Sequence, residues 1–418
     1  MQSIDHLIIG AGVSGLATAN FLPADAEWMI VERECEPGGY CRTVKQDGFV
    51  WDYSGHFFHF RHPDVEEFLL ERMTDPDIRT VTKKSRILFA DRYVDFPFQK
   101  NIHQLPRPDF IECFRDLVFR DETRPSVTFE DMLYARLGRG ITEKFLKPYN
   151  EKLYACPLSD LDADAMGRFF PHASLEDIVQ NMSNPDNQSY NATFTYPSGG
   201  AIQYIEALLH DLNSDRIHLG ESLESLDLEN HVARTNRREI SYDKLISSVP
   251  LPRLLSMAGI PHAPELYTWN KVLVFNLGFD RKGWDQDHWI YVPDPECCFY
   301  RIGFYDNIFG TDRMSLYVEI GLPAEVSVDV DAWRTRVLED LEKCGVVDGH
   351  VLVSEHSVVL NPAYVHIHDR GQEDVARQLE RLRDAGVHSI GRYGGWKYCA
   401  IEDNIVEARD LAGALSEA

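Results

Sequence analysis

An apolar run at residues 6–10 leads straight into Gly10-x-Gly12-x-x-Gly15, and Glu32 closes a second apolar run at residues 27–32. No other feature limits the fold as tightly. The pattern reads as a buried strand over 6–10, a helix over 14–21 and a second strand over 27–32, a βαβ opening. Glycines at this spacing permit a tight turn, close approach of backbone to a pyrophosphate and close packing of helix on strand, while the helix N-terminus favours the anion. Glu32 is placed to accept a hydrogen bond from a ribose hydroxyl. Gly10, Gly12, Val13, Ser14, Gly15 and Glu32 are therefore expected to hold a dinucleotide.

A second glycine-rich loop, Pro37-Gly38-Gly39-Tyr40-Cys41-Arg42-Thr43, follows the acid, and the chain closes with a strand, a turn at Gly391-Arg392 and a helix. These segments resemble the flavin-binding signature of the amine-oxidase-like FAD superfamily. The resemblance implies FAD rather than NAD, with Gly38 and Gly39 beside the pyrophosphate. It adds Arg33, Tyr40, Gly55, His56, Leu223, Gly391 and Arg392 to the cofactor contacts.

Between these ends the pattern changes twice. Residues 109–180 show apolar positions at helical spacing (110–118, 129–137, 141–146), which predicts a helical insertion. Residues 270–320 alternate apolar and aromatic positions (272–277, 289–292, 299–304, 315–320), which predicts an antiparallel sheet together with a strand pair at 86–90 and 92–96. Strands are also expected at 222–228, 232–235, 243–249 and 387–390. Helices are expected at 200–212, 332–341, 373–382 and 403–415. The fold class is α/β: a discontinuous Rossmann-like FAD-binding domain (1–85, 190–268 and 385–418), a helical domain (105–189) and an antiparallel β-sheet substrate domain (86–104 with 269–384).

The chain has 418 residues, with 42 basic against 67 acidic, a net charge of −25. So acidic a surface repels phosphate backbones and anionic lipid, so neither nucleic acid nor a membrane is an expected partner. The eight cysteines form no regular framework; Cys297, Cys298 and Cys399 read as packing thiols. A reduced cytoplasmic setting is expected, with no leader read from the N-terminus and the oligomeric state left open.

Outside the cofactor motifs the chain carries recurrent aromatic, phenolic and cationic positions. Arg168 and Arg301 are guanidinium groups suited to fork-shaped bonds with a diphosphate. Tyr291, Tyr364 and Tyr398 are neutral donors. Phe96, Phe98 and Tyr149 offer faces for a planar base, with Gln99, Asn101 and Asn150 as edge partners. In order and spacing this set resembles the UDP-galactopyranose mutases, particularly their eukaryotic-type branch, over residues 4 to about 412.

That resemblance implies an isomerase that interconverts the pyranose and furanose forms of UDP-galactose, or of a related nucleotide-diphosphate sugar, through a reduced-flavin N5–sugar adduct. NADPH or NADH would serve as reductant. It places Arg168, Arg301, Tyr291, Tyr364 and Tyr398 on the diphosphate, and Asn191 and Trp289 by the sugar. His56, Arg168, Arg301 and Arg392 become the catalytic set, and no metal is called for. Two alternatives stand beside it: an FAD oxidoreductase of the amine-oxidase or porphyrinogen-oxidase type, and a flavin-binding scaffold without chemistry.

Overall fold

The computed structural model describes residues 2–75, 77–187 and 192–417, so Asn191 lies outside the described residues. The opening unit is strand β1 (Gln2–Ile9), helix α1 (Val13–Phe21) and strand β2 (Trp28–Glu32). Strand β1 runs parallel to both of its neighbours, β2 and Glu239–Ser247. Leu7, Ile8 and Ile9 are all buried, which explains the unbroken apolar run: a central parallel strand has no wet face. The sheet is completed by Ile217–Leu219 beyond β2 and by Leu223–Asp227 and Val232–Thr235 beyond Glu239–Ser247, with Val387–Ser389 also pairing to the latter.

Helices α1, Ile202–Leu209 and Ile401–Ser416 cover one face, packing Leu16, Ala17, Ile205, Ile405 and Ala408. Alanines at these contacts let the helices approach closely. Leu251–Met257 and Asp369–Asp384 cover the other face through Leu251, Leu254 and Leu382. Residues from both ends of the sequence therefore share one core.

The second sheet runs Leu352–Leu360, Asn270–Phe279, Ser315–Pro323, Arg301–Phe304, Trp289–Tyr291, Ser85–Phe89, Arg92–Asp95. Its pairings are antiparallel except one: Trp289–Tyr291 lies parallel to Ser85–Phe89. The sheet is antiparallel as expected, and the one parallel pair arises where no hairpin joins the two strands, so nothing forces them to oppose. Strand Leu352–Leu360 was not anticipated. Its centre, Ser354-Glu355-His356-Ser357, interrupts the alternation that marks a half-buried strand.

Helix Val330–Lys343 covers the outer face through Val337 and Leu341. The inner face meets the helical insertion of Arg107–Val118, Phe129–Ile141, Thr142–Leu146 and Lys147–Tyr154, whose Leu133, Phe145, Tyr149 and Leu153 share a core with Val272, Val274 and Tyr291. Among the described residues no helix is long and apolar enough to cross a membrane.

Candidate active site: a glycine cradle opening into a cationic cleft

A cavity of ≈1180 Å³ begins at the C-terminal ends of β1 and β2 and continues between the second sheet and the helical insertion. That exceeds the ~300–1,000 Å³ of a site for one drug-sized molecule. It matches an elongated cofactor with a second ligand beside it.

At its first end the walls are backbone. Gly38 N–H donates to the Ala11 carbonyl at 2.8 Å, fastening the second glycine loop to the first. The loops meet at Gly12 and Gly39, where a Cβ built on Gly39 would stand 3.6 Å from the Gly12 Cα. Gly39 has φ +57°, a conformation that favours glycine. Gly12 is the N-cap of α1, with no side chain bonded to the free N–H groups of the first turn. Those donors, with the helix dipole, fit a pyrophosphate.

Glu32 Oε2 accepts from Ala11 N–H at 2.8 Å and Oε1 from Glu34 N–H at 2.9 Å. Each oxygen keeps a lone pair for a ribose hydroxyl. Val13, Ser14, Arg33, Tyr40 and Leu223 line the same end; Gly15 does not, because it sits under Gly10 inside the turn. These residues fit a dinucleotide cofactor.

Further in, side chains take over. Gly55 leaves space that a Cβ would take from the Tyr317 ring, and His56 follows it. Burial, then the guanidinium groups of Arg392 and Arg301, push the His56 imidazole down to about 4, so it is neutral at physiological pH. Its Nδ1 is buried without a hydrogen-bond partner among the described residues.

Arg392 donates to the Cys399 carbonyl at 2.9 Å and lies 4.6 Å and 5.2 Å from the ring centres of Tyr398 and Tyr364. Burial opposes its charge, but the surrounding phenols more than offset that cost and raise its pKa. Cys399 is buried in the cleft wall.

Arg301 donates from Nε to Glu319 at 2.6 Å, and one terminal nitrogen lies 2.6 Å from the same carboxylate. Ser54 donates to the other Glu319 oxygen. Burial raises the pKa of Tyr291 and Tyr398, which keeps them neutral donors.

Arg168 lines the mouth of the cleft with its guanidinium over Phe169. Trp289 lines it too, donating through its indole N–H to Tyr317. Phe96 and Tyr149 do not line the cavity; they pack around Tyr291, which does, at ring separations of 4.8 Å and 5.5 Å.

Not every expected residue comes to this cleft. Phe98 is fully buried and stacks on Phe145. Gln99 donates to the Pro171 carbonyl and Asn150 to the Leu146 carbonyl, both buried. Asn101 is occupied by Pro97, Asn181 and Asn187. As edge partners for a base these amides are engaged in holding the helical insertion together.

Conversely, Glu319 and Lys83 line the cleft without having been anticipated. Lys83 stands 4.9 Å over the Phe96 ring, and burial, then Arg301, bring its amine down to about 7. Glu319 had a signal: an acid at the centre of an apolar strand, Ser315–Pro323, needs a buried partner. Among the described residues no group of three or more His, Cys, Asp or Glu is placed to hold a metal ion.

With this geometry in hand, comparison defines the class. The family of flavin containing amine oxidoreductases matches residues 13–415, and the chain belongs to it. Its α/β fold is the one seen in the crystal structure of a reduced UDP-galactopyranose mutase, with a TM-score of 0.91 over 100% of this chain and 95% of that one, at 24% identity.

By sequence it is similar to the UDP-galactopyranose mutase of Mycoplasma genitalium, 24% identical over 204 residues, 43% of this chain and 50% of that protein. It is similar as well to coproporphyrinogen III oxidase of Staphylococcus aureus, 21% identical over 325 residues, 67% of this chain and 68% of that protein. A segment of 76 residues, 18% of this chain, is 29% identical to all-trans-retinol 13,14-reductase of Rattus norvegicus and spans 12% of that protein. The chain thus spans less than two thirds of the Mycoplasma mutase and of the rat reductase.

Proposed function

We propose that the protein is an FAD-dependent nucleotide-sugar mutase, an isomerase interconverting the pyranose and furanose forms of UDP-galactose or a related nucleotide-diphosphate sugar. One observation carries this reading most. The glycine cradle opens into a space walled by Arg168, Arg301, Arg392 and three tyrosines, in a protein whose net charge of −25 otherwise repels anions. Such a wall suits a leaving diphosphate.

When bound and reduced, by NADPH or NADH, the flavin would supply an electron-rich nucleophile. The chain's own residues bind and orient. Arg301 and Arg168 neutralise the diphosphate and keep it beside the sugar after it departs, so that the same diphosphate returns. Tyr291, Tyr364 and Tyr398 donate without adding charge. His56, kept neutral beside two guanidinium groups, brings one N–H and one acceptor nitrogen to the cleft without adding charge at pH 7. Trp289 and Asn191 are assigned to the sugar.

The direct test incubates dithionite-reduced protein with a panel of nucleotide sugars and separates ring isomers by chromatography. Catalytic turnover without net consumption of reductant under anaerobic conditions is expected. The competing reading, an FAD oxidoreductase, draws support from the match to coproporphyrinogen III oxidase over 325 residues. Stoichiometric flavin reduction by substrate, with oxygen consumed on reoxidation, would put it first.

A further inference from the structure

Arg168 projects from the helical insertion, whereas the diphosphate must be met at the junction of both sheets. A long side chain at a cleft mouth would ordinarily sample many rotamers and lose them on binding. Here it does not. One terminal nitrogen of Arg168 donates to both oxygens of Asp403, at 2.6 Å and 2.5 Å. The guanidinium also lies 4.5 Å from the Phe169 ring centre, and Phe169 meets Tyr398 edge to face at 4.7 Å.

Asp403 is itself fixed, because its Oδ2 accepts from Ala400 N–H at 2.7 Å in the first turn of helix Ile401–Ser416. The rest of the Arg168 fork, Nε and the second terminal nitrogen, makes no hydrogen bond among the described residues, and Arg168 lines the cavity. The arrangement repeats, at the other side of the cleft, what Glu319 does for Arg301.

From this we infer that Asp403 is a positioning residue for nucleotide-diphosphate binding. It holds the Arg168 guanidinium across the cleft mouth by one edge and leaves the other edge for phosphate oxygens. The inference rests on the reading of the cleft as a diphosphate site, and goes beyond it by giving a role to a carboxylate that would otherwise only repel the ligand. An acid beside an anion site is costly unless it returns more through order than it takes through charge. Spending one nitrogen of the fork on Asp403 meets that condition.

The test is a double-mutant cycle read by titrating UDP into the flavin-loaded protein. Asp403→Asn keeps an oxygen for the Ala400 N–H, so the helix cap survives, but the charged grip on Arg168 is lost. Its Kd for UDP is expected to rise about 3- to 10-fold, the ordering cost of one long side chain. KM should rise in step while kcat stays within about twofold.

In Arg168→Ala the further change Asp403→Asn should have no effect, because the carboxylate then has nothing to position. An unchanged Kd in Asp403→Asn, or additive losses in the double variant, would overturn the inference. Asp403→Ala with unaltered flavin content and melting temperature guards against a mere loss of the cap. Absence of UDP binding by the unmodified protein would instead sink the proposed function itself.

Discussion

The cofactor cradle and the cationic cleft are two halves of one cavity, built on opposite principles. The cradle is made of backbone. Gly12, Gly38 and Gly39 contribute absence of side chain, and its single functional carboxylate, Glu32, is held by two backbone N–H groups. The cleft is made of side chains. Arg301, Arg392 and Arg168 come from a strand, a turn and the insertion, and Glu319, Asp403 and tyrosines orient them. A backbone site tolerates no added atoms but needs few partners. A side-chain site tolerates modest changes of shape but fails when a charge loses its counterpart.

The sharpest way to break this contrast is Gly15→Val. A Cβ at Gly15 would stand 1.9 Å from the Gly10 carbonyl oxygen, so the turn must open at a cost of about 3 kcal/mol or more. Flavin content and melting temperature should collapse together; retention of both would show the cradle to be pliable.

Next in size is Arg301→Ala, which should weaken UDP binding and turnover about 100- to 1000-fold with flavin still bound. Glu319, 1% exposed, would then be a buried charge without its partner, and stability should fall by roughly 3 kcal/mol. Arg301→Ala combined with Glu319→Gln should regain the stability and none of the activity. Recovery of both would show that the pair serves folding alone.

A smaller effect follows from pH. Burial brings His56, His59 and His288 down to about 4, from an ordinary 6.5. Above pH 6.5 these rings are neutral in both folded and unfolded chains, and stability is fully present. Between about 6.5 and 4 the unfolded chain takes up protons that the folded chain refuses, so the melting temperature should drop steadily on acidification. A flat profile across that window would show the rings to be solvated.

The smallest change expected is from Tyr364→Phe or Tyr398→Phe. Each should raise the Kd for UDP roughly 2- to 10-fold, the worth of one neutral hydrogen bond. A loss as large as that for Arg301 would mean that a phenol, not a guanidinium, carries the site.

The same contrast decides what can be read from the sequence. The cradle is local: Gly10 to Glu32 lie in one βαβ unit whose apolar periodicity and glycine spacing state the geometry directly. The helical insertion and the alternating strands of the second sheet are legible for the same reason, because a period of 3.6 or 2 needs only neighbours.

The cleft is legible only through resemblance, and unevenly. Arg301 and Tyr364 lie on separate strands and loops, and nothing local says they converge. Phe98, Gln99 and Asn101 carry the residue types of a base pocket, but two short helical turns, Phe98–Lys100 and Ile102–Gln104, direct them into the core. Lys83 and Asp403 carry no local signal, because their meaning depends on partners far along the chain. Strand Leu352–Leu360 was missed because its polar centre erased the period.

The sharing of one core by residues from both ends has a bearing on how the protein is made. Ser14, at the start of α1, reaches Asn404 at 3.4 Å, and Asn404 also accepts from the Arg392 N–H. Val387–Ser389 pairs with Glu239–Ser247, and Ile401–Ser416 lies against α1. The glycine loop at residue 10 is made some 390 residues before the helix that braces it, which begins at Ile401. At about 5–20 residues per second, that leaves roughly 20–80 s during which the nascent cradle has no lid of its own. A product cut short before that helix is expected to hold cofactor poorly, because its cradle is never braced.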